Sequence, residues 1–125
     1  MTLLLDTHIF LWAVEDSDRL SASTRHLIES ADAVFVSAVS IWEVAIKARL
    51  GRLEADPDQL IQAIEQCGFL ELPVSVEHAA TTMILALHHR DPFDRMLIAQ
   101  AISETAHLLT ADGQLPQYSE LIVQV

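Results

Sequence analysis

Short apolar runs alternate with stretches of helical periodicity along the whole chain, with no tight hairpin signal between successive runs. That order constrains the fold more than any other feature. Strands that reach each other only through helices pair in parallel, and a parallel sheet needs helices on both faces. Thr2 to Leu5 reads as a buried strand and Ile9 to Val14 as a buried helix. A helix follows from Ser21, as its cap, to Ser30, and Ala33 to Val36 is a β-branched, strand-like run. Val39 to Leu50 gives one broad helical face that stops at Gly51, and Pro57 opens a helix through Ile64 that Gly68 ends. Phe69 to Leu72 is a third strand, Ser75 caps a helix to about Leu87, and Asp91-Pro92 starts one to about Thr105. His107 to Thr110 and Leu121 to Val125 complete five short strands. The expected class is α/β: a three-layer α/β/α sandwich around a twisted parallel sheet.

At 125 residues the chain matches one domain, residues 1–125, since single domains typically hold about 100 to 150 residues. Mean hydropathy is +0.31, yet charged residues make up 20% of the chain, which excludes disorder. The longest apolar stretch, Ile9 to Val14, is far short of the roughly 18 residues of a membrane span. The start has no basic leader, Asp6 and His8 interrupt its apolar run, and the single Cys67 cannot form an internal disulfide. A cytoplasmic protein without membrane contact is expected. Eighteen Asp and Glu against seven Lys and Arg give a formal net charge of -11. A passive nucleic-acid-binding domain would normally be basic. The acidity therefore means a solvated surface, a carboxylate cluster that binds cations, or a basic partner.

Position separates these. In open parallel sheets, ligands bind at the carboxyl ends of the strands, near the reversal of strand order. Asp6 directly follows Leu3-Leu4-Leu5, and Asp112 comes two residues after Thr110. Glu43 is expected in the first turn of the helix after Ala33 to Val36, and Asp94 in the first turn after Asp91-Pro92. All four converge on one sheet edge. Unscreened like charges in one crevice repel by several kcal/mol, so protons or cations must neutralise them. An all-oxygen set suits a hard divalent ion, Mg²⁺ or Mn²⁺, which activates water in phosphodiester cleavage. Each acid also has a structural reading. Ser40 to Glu43 fits a capping box, Glu43 and Lys47 form an i, i+4 pair, and Asp6, Asp91, Asp94 and Asp112 can each serve a helix start or turn.

Asp6-Thr7-His8, Ser37 to Glu43 leading into Ile46-Lys47, Asp91-Pro92-Phe93-Asp94-Arg95 before Leu97 to Ala101, and Leu109-Thr110-Ala111-Asp112 together resemble the PIN-domain family. More narrowly they resemble the VapC-type toxins of bacterial toxin-antitoxin pairs. The resemblance runs from Leu3 to about Asp112, and the Asp-Pro-Phe-Asp-Arg block is its most specific part. It implies an endoribonuclease in which Asp6, Glu43, Asp94 and Asp112 hold Mg²⁺ or Mn²⁺. It also implies a hydroxyl beside the site, for which Thr7 and Thr110 are candidates, and places Asp91 as a helix cap with a supporting role at the site open to it. A cognate antitoxin and a homodimer are implied as partners. The net charge favours an antitoxin segment rich in Arg or Lys, which would enter the acidic crevice.

Lys47, Arg49 and Arg52 form the one concentrated basic group, open to phosphate contact or to helix-dipole and surface roles. Lys47 and Arg49 are candidates for orienting substrate, and His8 for contacting it. Trp12 and Trp42 lie among apolar neighbours, which favours core or dimer packing over base stacking. His88-His89 reads as a solvated helix end, because adjacent helical histidines diverge and no third zinc ligand is near. A phosphoacceptor receiver domain would need an acidic pair after the first strand and a lysine after the last, and here Asp6 stands alone. The competing reading is a non-catalytic acidic module that docks a basic peptide.

Overall fold

The computed structural model describes residues 1–86 and 91–125. Five strands, β1 (Thr2–Leu5), β2 (Ala33–Ser37), β3 (Leu70–Leu72), β4 (His107–Thr110) and β5 (Ile122–Gln124), form one sheet in the order β3-β2-β1-β4-β5. Every adjacent pair is parallel. Among the described residues six α-helices flank the strands: α1 (Thr7–Glu15), α2 (Ala22–Ser30), α3 (Ala38–Arg49), α4 (Pro57–Gln66), α5 (Val76–Thr81) and α6 (Pro92–Glu104). The expected three-layer α/β/α class is the one observed.

Side chains at successive strand positions point to opposite faces, so a run buried throughout needs a core on each side. Leu3 and Leu5 join one cluster with Ile9, Phe10, Val36 and Ile64, whereas Leu4 joins a second with Val39, Leu97, Ile98 and Leu108. Each of these fully buried leucines contributes roughly 1.5–3 kcal/mol relative to exposure. The helix α3 reaches both clusters, through Val39 and Val44, and packs against α1, α4 and α6. It therefore lies across the carboxyl end of the sheet. None of the helices among the described residues is long and apolar enough to cross a membrane.

Three local expectations need correction. Ser37, not Ser40, caps α3: its hydroxyl accepts from Val39 N at 3.0 Å, and the helix starts at Ala38. Glu43 consequently sits in the second turn, and Ser40 is a fully buried helical residue rather than half of a capping box. The helix from Ser75 is also shorter than expected, ending at Thr81 and passing into a 3-10 turn over Thr82–Ile84. The hydroxyls of Thr81 and Thr82 bond back to the carbonyls of Glu77 and Ala79, a competition that weakens a helix, and Met83 and Ile84 find no core to bury in. Leu87, the expected end, and His88-His89 lie outside the described residues. Trp42 is 58% exposed, so it is no core residue, and it meets Phe93 edge-on at 5.0 Å. Trp12 is partly buried against the first cluster.

Gly51, after α3, has φ +72°, and a Cβ there would meet no atom within 4 Å. Only the left-handed backbone penalises a side chain. Gly51→Ala should cost about 1 kcal/mol in chemical denaturation, with no change in the site.

Candidate active site

The strand order reverses between β1 and β4, the neighbours from which the chain proceeds to opposite sheet edges. Asp6 leaves β1 and Asp112 follows β4, so the two flank the crevice where open α/β sheets bind ligands. Asp6 caps α1, its Oδ1 accepting from Thr7 N at 2.7 Å, while Oδ2 accepts from the Thr110 hydroxyl at 2.6 Å. Both oxygens are fixed. Burial pushes the Asp6 carboxyl above its ordinary range, and the bonds from Thr110 and Thr7 offset only part of that.

Glu43 is delivered by α3 and is 6% exposed. The Thr7 hydroxyl donates to its Oε1 at 2.8 Å, and the Thr7 oxygen also lies 2.9 Å from the Ser40 hydroxyl. Its Oε2 accepts from Lys47 Nζ at 2.5 Å, one helical turn on. That bond raises the Lys47 pKa, helped by the charges of Asp91 and Asp94. Asp91 caps α6, accepting from Phe93 N at 2.9 Å and Asp94 N at 3.1 Å. Asp94 is thereby held in the first turn of α6. Asp112 is placed through its backbone, where its N–H donates to Thr110 Oγ1 at 3.0 Å, and its carboxylate accepts from Gln114 N at 2.9 Å.

Asp6, Glu43, Asp94 and Asp112 line one cleft of about 210 Å³, together with His8, Lys47, Asp91 and Ala111. Among the described residues, no three Asp, Glu, His or Cys side chains are drawn close enough to share an ion. The Lys47 ammonium is the positive charge held against them instead. The donor set still fits a hard divalent cation: it is all carboxylate oxygen, partly desolvated, and already associated with a cation. Thr7 and Thr110, the expected hydroxyls, each donate to one of the carboxylates. Arg49 is exposed and lines neither this cleft nor the neighbouring one.

Ser40, which meets the Thr7 hydroxyl that holds Glu43, was not assigned to the site beforehand. Ser40 stands three residues before Glu43 on the same helical face, a spacing that could have pointed to it. Asp91 lines the cleft as well as capping α6.

The model of the PIN domain matches residues 3–121. Ribonuclease VapC22 of Mycobacterium tuberculosis is 36% identical over 118 residues, which span 91% of this chain and 89% of that protein. Among solved structures, VapBC2 from Rickettsia felis bound to a DNA fragment from its promoter gives a TM-score of 0.72 at 15% identity, covering 99% of this chain and 98% of that one. VapBC-1 from nontypeable Haemophilus influenzae gives 0.69 at 20% identity, covering 100% and 97%. These two likenesses concern the fold. The family model and the sequence relative concern descent, and by both the chain belongs to the PIN domain family.

Proposed function

We propose that this protein is a divalent-metal-dependent endoribonuclease and the toxin of a toxin-antitoxin pair, built as one PIN-like domain over residues 1–125. The observation that supports it most is the convergence of Asp6, Glu43, Asp94 and Asp112 on one cleft at the strand-order reversal. Its sequence relative is a ribonuclease, and its structural neighbours are VapBC complexes. Mg²⁺ or Mn²⁺ would be held by those four carboxylates and would supply Lewis acidity, lowering the pKa of water and offsetting charge on a phosphoryl oxygen.

The chain's own groups prepare that chemistry. Thr110 and the Thr7 amide orient Asp6, and the Thr7 hydroxyl orients Glu43, so each is held at the cleft, and the carboxylates would draw together on binding an ion. Asp94 and Asp112, less buried than Asp6 and Glu43, face the side from which substrate arrives. Lys47 offsets the charge of Glu43 and lines the cleft, where its ammonium would meet a substrate phosphate. Water would add to phosphorus as the in-line bond to the ribose oxygen breaks, the water giving up a proton and the leaving oxygen taking one up, so no protein nucleophile is required. Incubation of partner-free protein with total RNA should show cleavage that Mn²⁺ supports and a chelator stops. Equal cleavage in chelator would contradict the proposal.

The antitoxin would bring a basic segment to the acidic cleft, where Lys47 shows that an ammonium is accommodated beside Glu43. Complex formation should weaken steeply with added salt, and insensitivity to salt would refute the electrostatic account. We further propose a homodimer, since Trp42, Met83 and Ile84 are exposed. Light scattering that gives a monomer mass would count against it.

A further inference from the structure

A second groove opens beside the carboxylate cleft, between α1 and α3, with a volume of about 410 Å³. Its lining includes His8, Trp12, Glu15, Arg19, Lys47 and Arg52. His8, Glu43 and Lys47 line both spaces, so the two adjoin. The chain has seven Lys and Arg residues, and three of them meet here. In a protein of net charge -11 that is a local reversal of sign.

The other described cations are otherwise engaged or face elsewhere. Arg25 pairs with Asp16, Arg95 donates to the carbonyls of Ala86 and Thr82, and Arg49 lies outside both spaces. Lys47 pairs with Glu43, which leaves Arg19 and Arg52 against one carboxylate, Glu15. Neither arginine makes an ion pair with a described residue. Arg19 lies with its guanidinium carbon 5.9 Å from the Trp12 ring centroid, and His8 meets the same ring edge-on at 6.2 Å. Cation–π contact holds the guanidinium over the groove while its N–H groups stay available.

We infer that the groove between α1 and α3 is a binding track for single-stranded RNA, in which Arg19 and Arg52 hold backbone phosphates on one side of the bond placed at the carboxylates. Trp12 is a positioning residue for Arg19. The inference rests on the nuclease reading above and adds to it where the strand lies. The occupant is nucleic acid because the groove offers forked cations beside a phosphodiester-cleaving cleft. The single strand is the form chosen because the groove sets Arg19, Arg52 and Lys47 beside the aromatic surface of Trp12 and His8, and a cationic groove with aromatic surface is how single strands are commonly held.

The test is anisotropy of a fluorescein-labelled single-stranded RNA over a range of salt concentrations. It uses the full-length Asp94→Asn protein, chosen to slow cleavage of the probe, with Arg19→Gln and Arg52→Gln added together. The pair should weaken binding by about ten-fold or more and reduce the slope of log affinity against log salt by roughly 1.4, at about 0.7 for each phosphate no longer neutralised. Arg49→Gln in the same background should change neither. Arg19→Gln with Arg52→Gln in otherwise wild-type protein should leave Mn²⁺ binding intact. Unchanged RNA affinity and slope would overturn the inference and assign the groove to a protein segment. No RNA binding before the arginines are changed would overturn it too, and retained Mn²⁺ binding would then leave the metal-site reading standing.

Discussion

Asp94→Asn should lower RNA cleavage by about 100- to 1,000-fold while the protein stays folded, an effect of roughly 3–4 kcal/mol on the barrier. The substitution keeps the size and shape of the side chain and removes only its charge. Asp94 lies in the first turn of α6, where Asp91 supplies the cap through two backbone bonds, so the helix start survives the change. Loss of one acid from a helix N-terminus costs about 0.3–1 kcal/mol, too little to unfold a domain. Its loss from the cleft removes one of the charges that would draw and hold the divalent ion. Asp112→Asn should be milder, about ten-fold, because Asp112 sits in the loop after β4 with its carboxylate already accepting from the Gln114 amide. Full activity of Asp94→Asn, with circular dichroism unchanged, would remove Asp94 from the site.

Asp6→Asn should abolish activity to a similar extent and, in chelator at neutral pH, raise the melting temperature by a few degrees. Burial raises the Asp6 pKa above its ordinary value of 3.8, so the unfolded chain gives up this proton more readily than the folded one. The stability linked to Asp6 is full below the ordinary value and is lost as pH rises through the raised one. At neutral pH the metal-free fold therefore bears a buried charge that asparagine would lack; the asparagine oxygen can still accept from the Thr7 amide, while its NH2 would donate to Thr110 Oγ1 in place of the bond that hydroxyl donated. The two proteins should converge in stability under acid conditions. Mn²⁺ should raise the melting temperature of the wild type and leave Asp6→Asn unmoved, since a ligand stabilises only the state that binds it. A metal-free Asp6→Asn protein that melts below the wild type would contradict this account of the buried carboxylate.

Much of the fold was legible because the parallel sheet buries both faces. Leu3-Leu4-Leu5 and Leu108-Leu109 are continuous apolar runs for that reason, and they place Asp6 and Asp112 without further information. Turn chemistry was legible at Ser21, Pro57, Ser75 and Asp91, whose caps are local. Glu43 was harder. Ser37 belongs at once to β2 and to the cap of α3, so the helix starts one residue later with no loop, and no local signal separates Ser37 from Ser40 as the cap. The exposure of Trp42 is likewise a tertiary matter, since its helix has apolar residues on more than one side and packing selects which are covered. The groove that joins Trp12 and Arg19 to Arg52 brings together residues far apart in sequence, and its sign is visible only once α1 lies beside α3.

Calorimetric titration of the partner-free protein with Mn²⁺, beside Asp94→Asn, tests the metal-dependent site directly and needs no knowledge of the RNA target. The account predicts binding by the wild type that is lost or strongly weakened in the variant. Equal binding by both, or none by either, would contradict the metal site and favour an acidic module that docks a basic peptide.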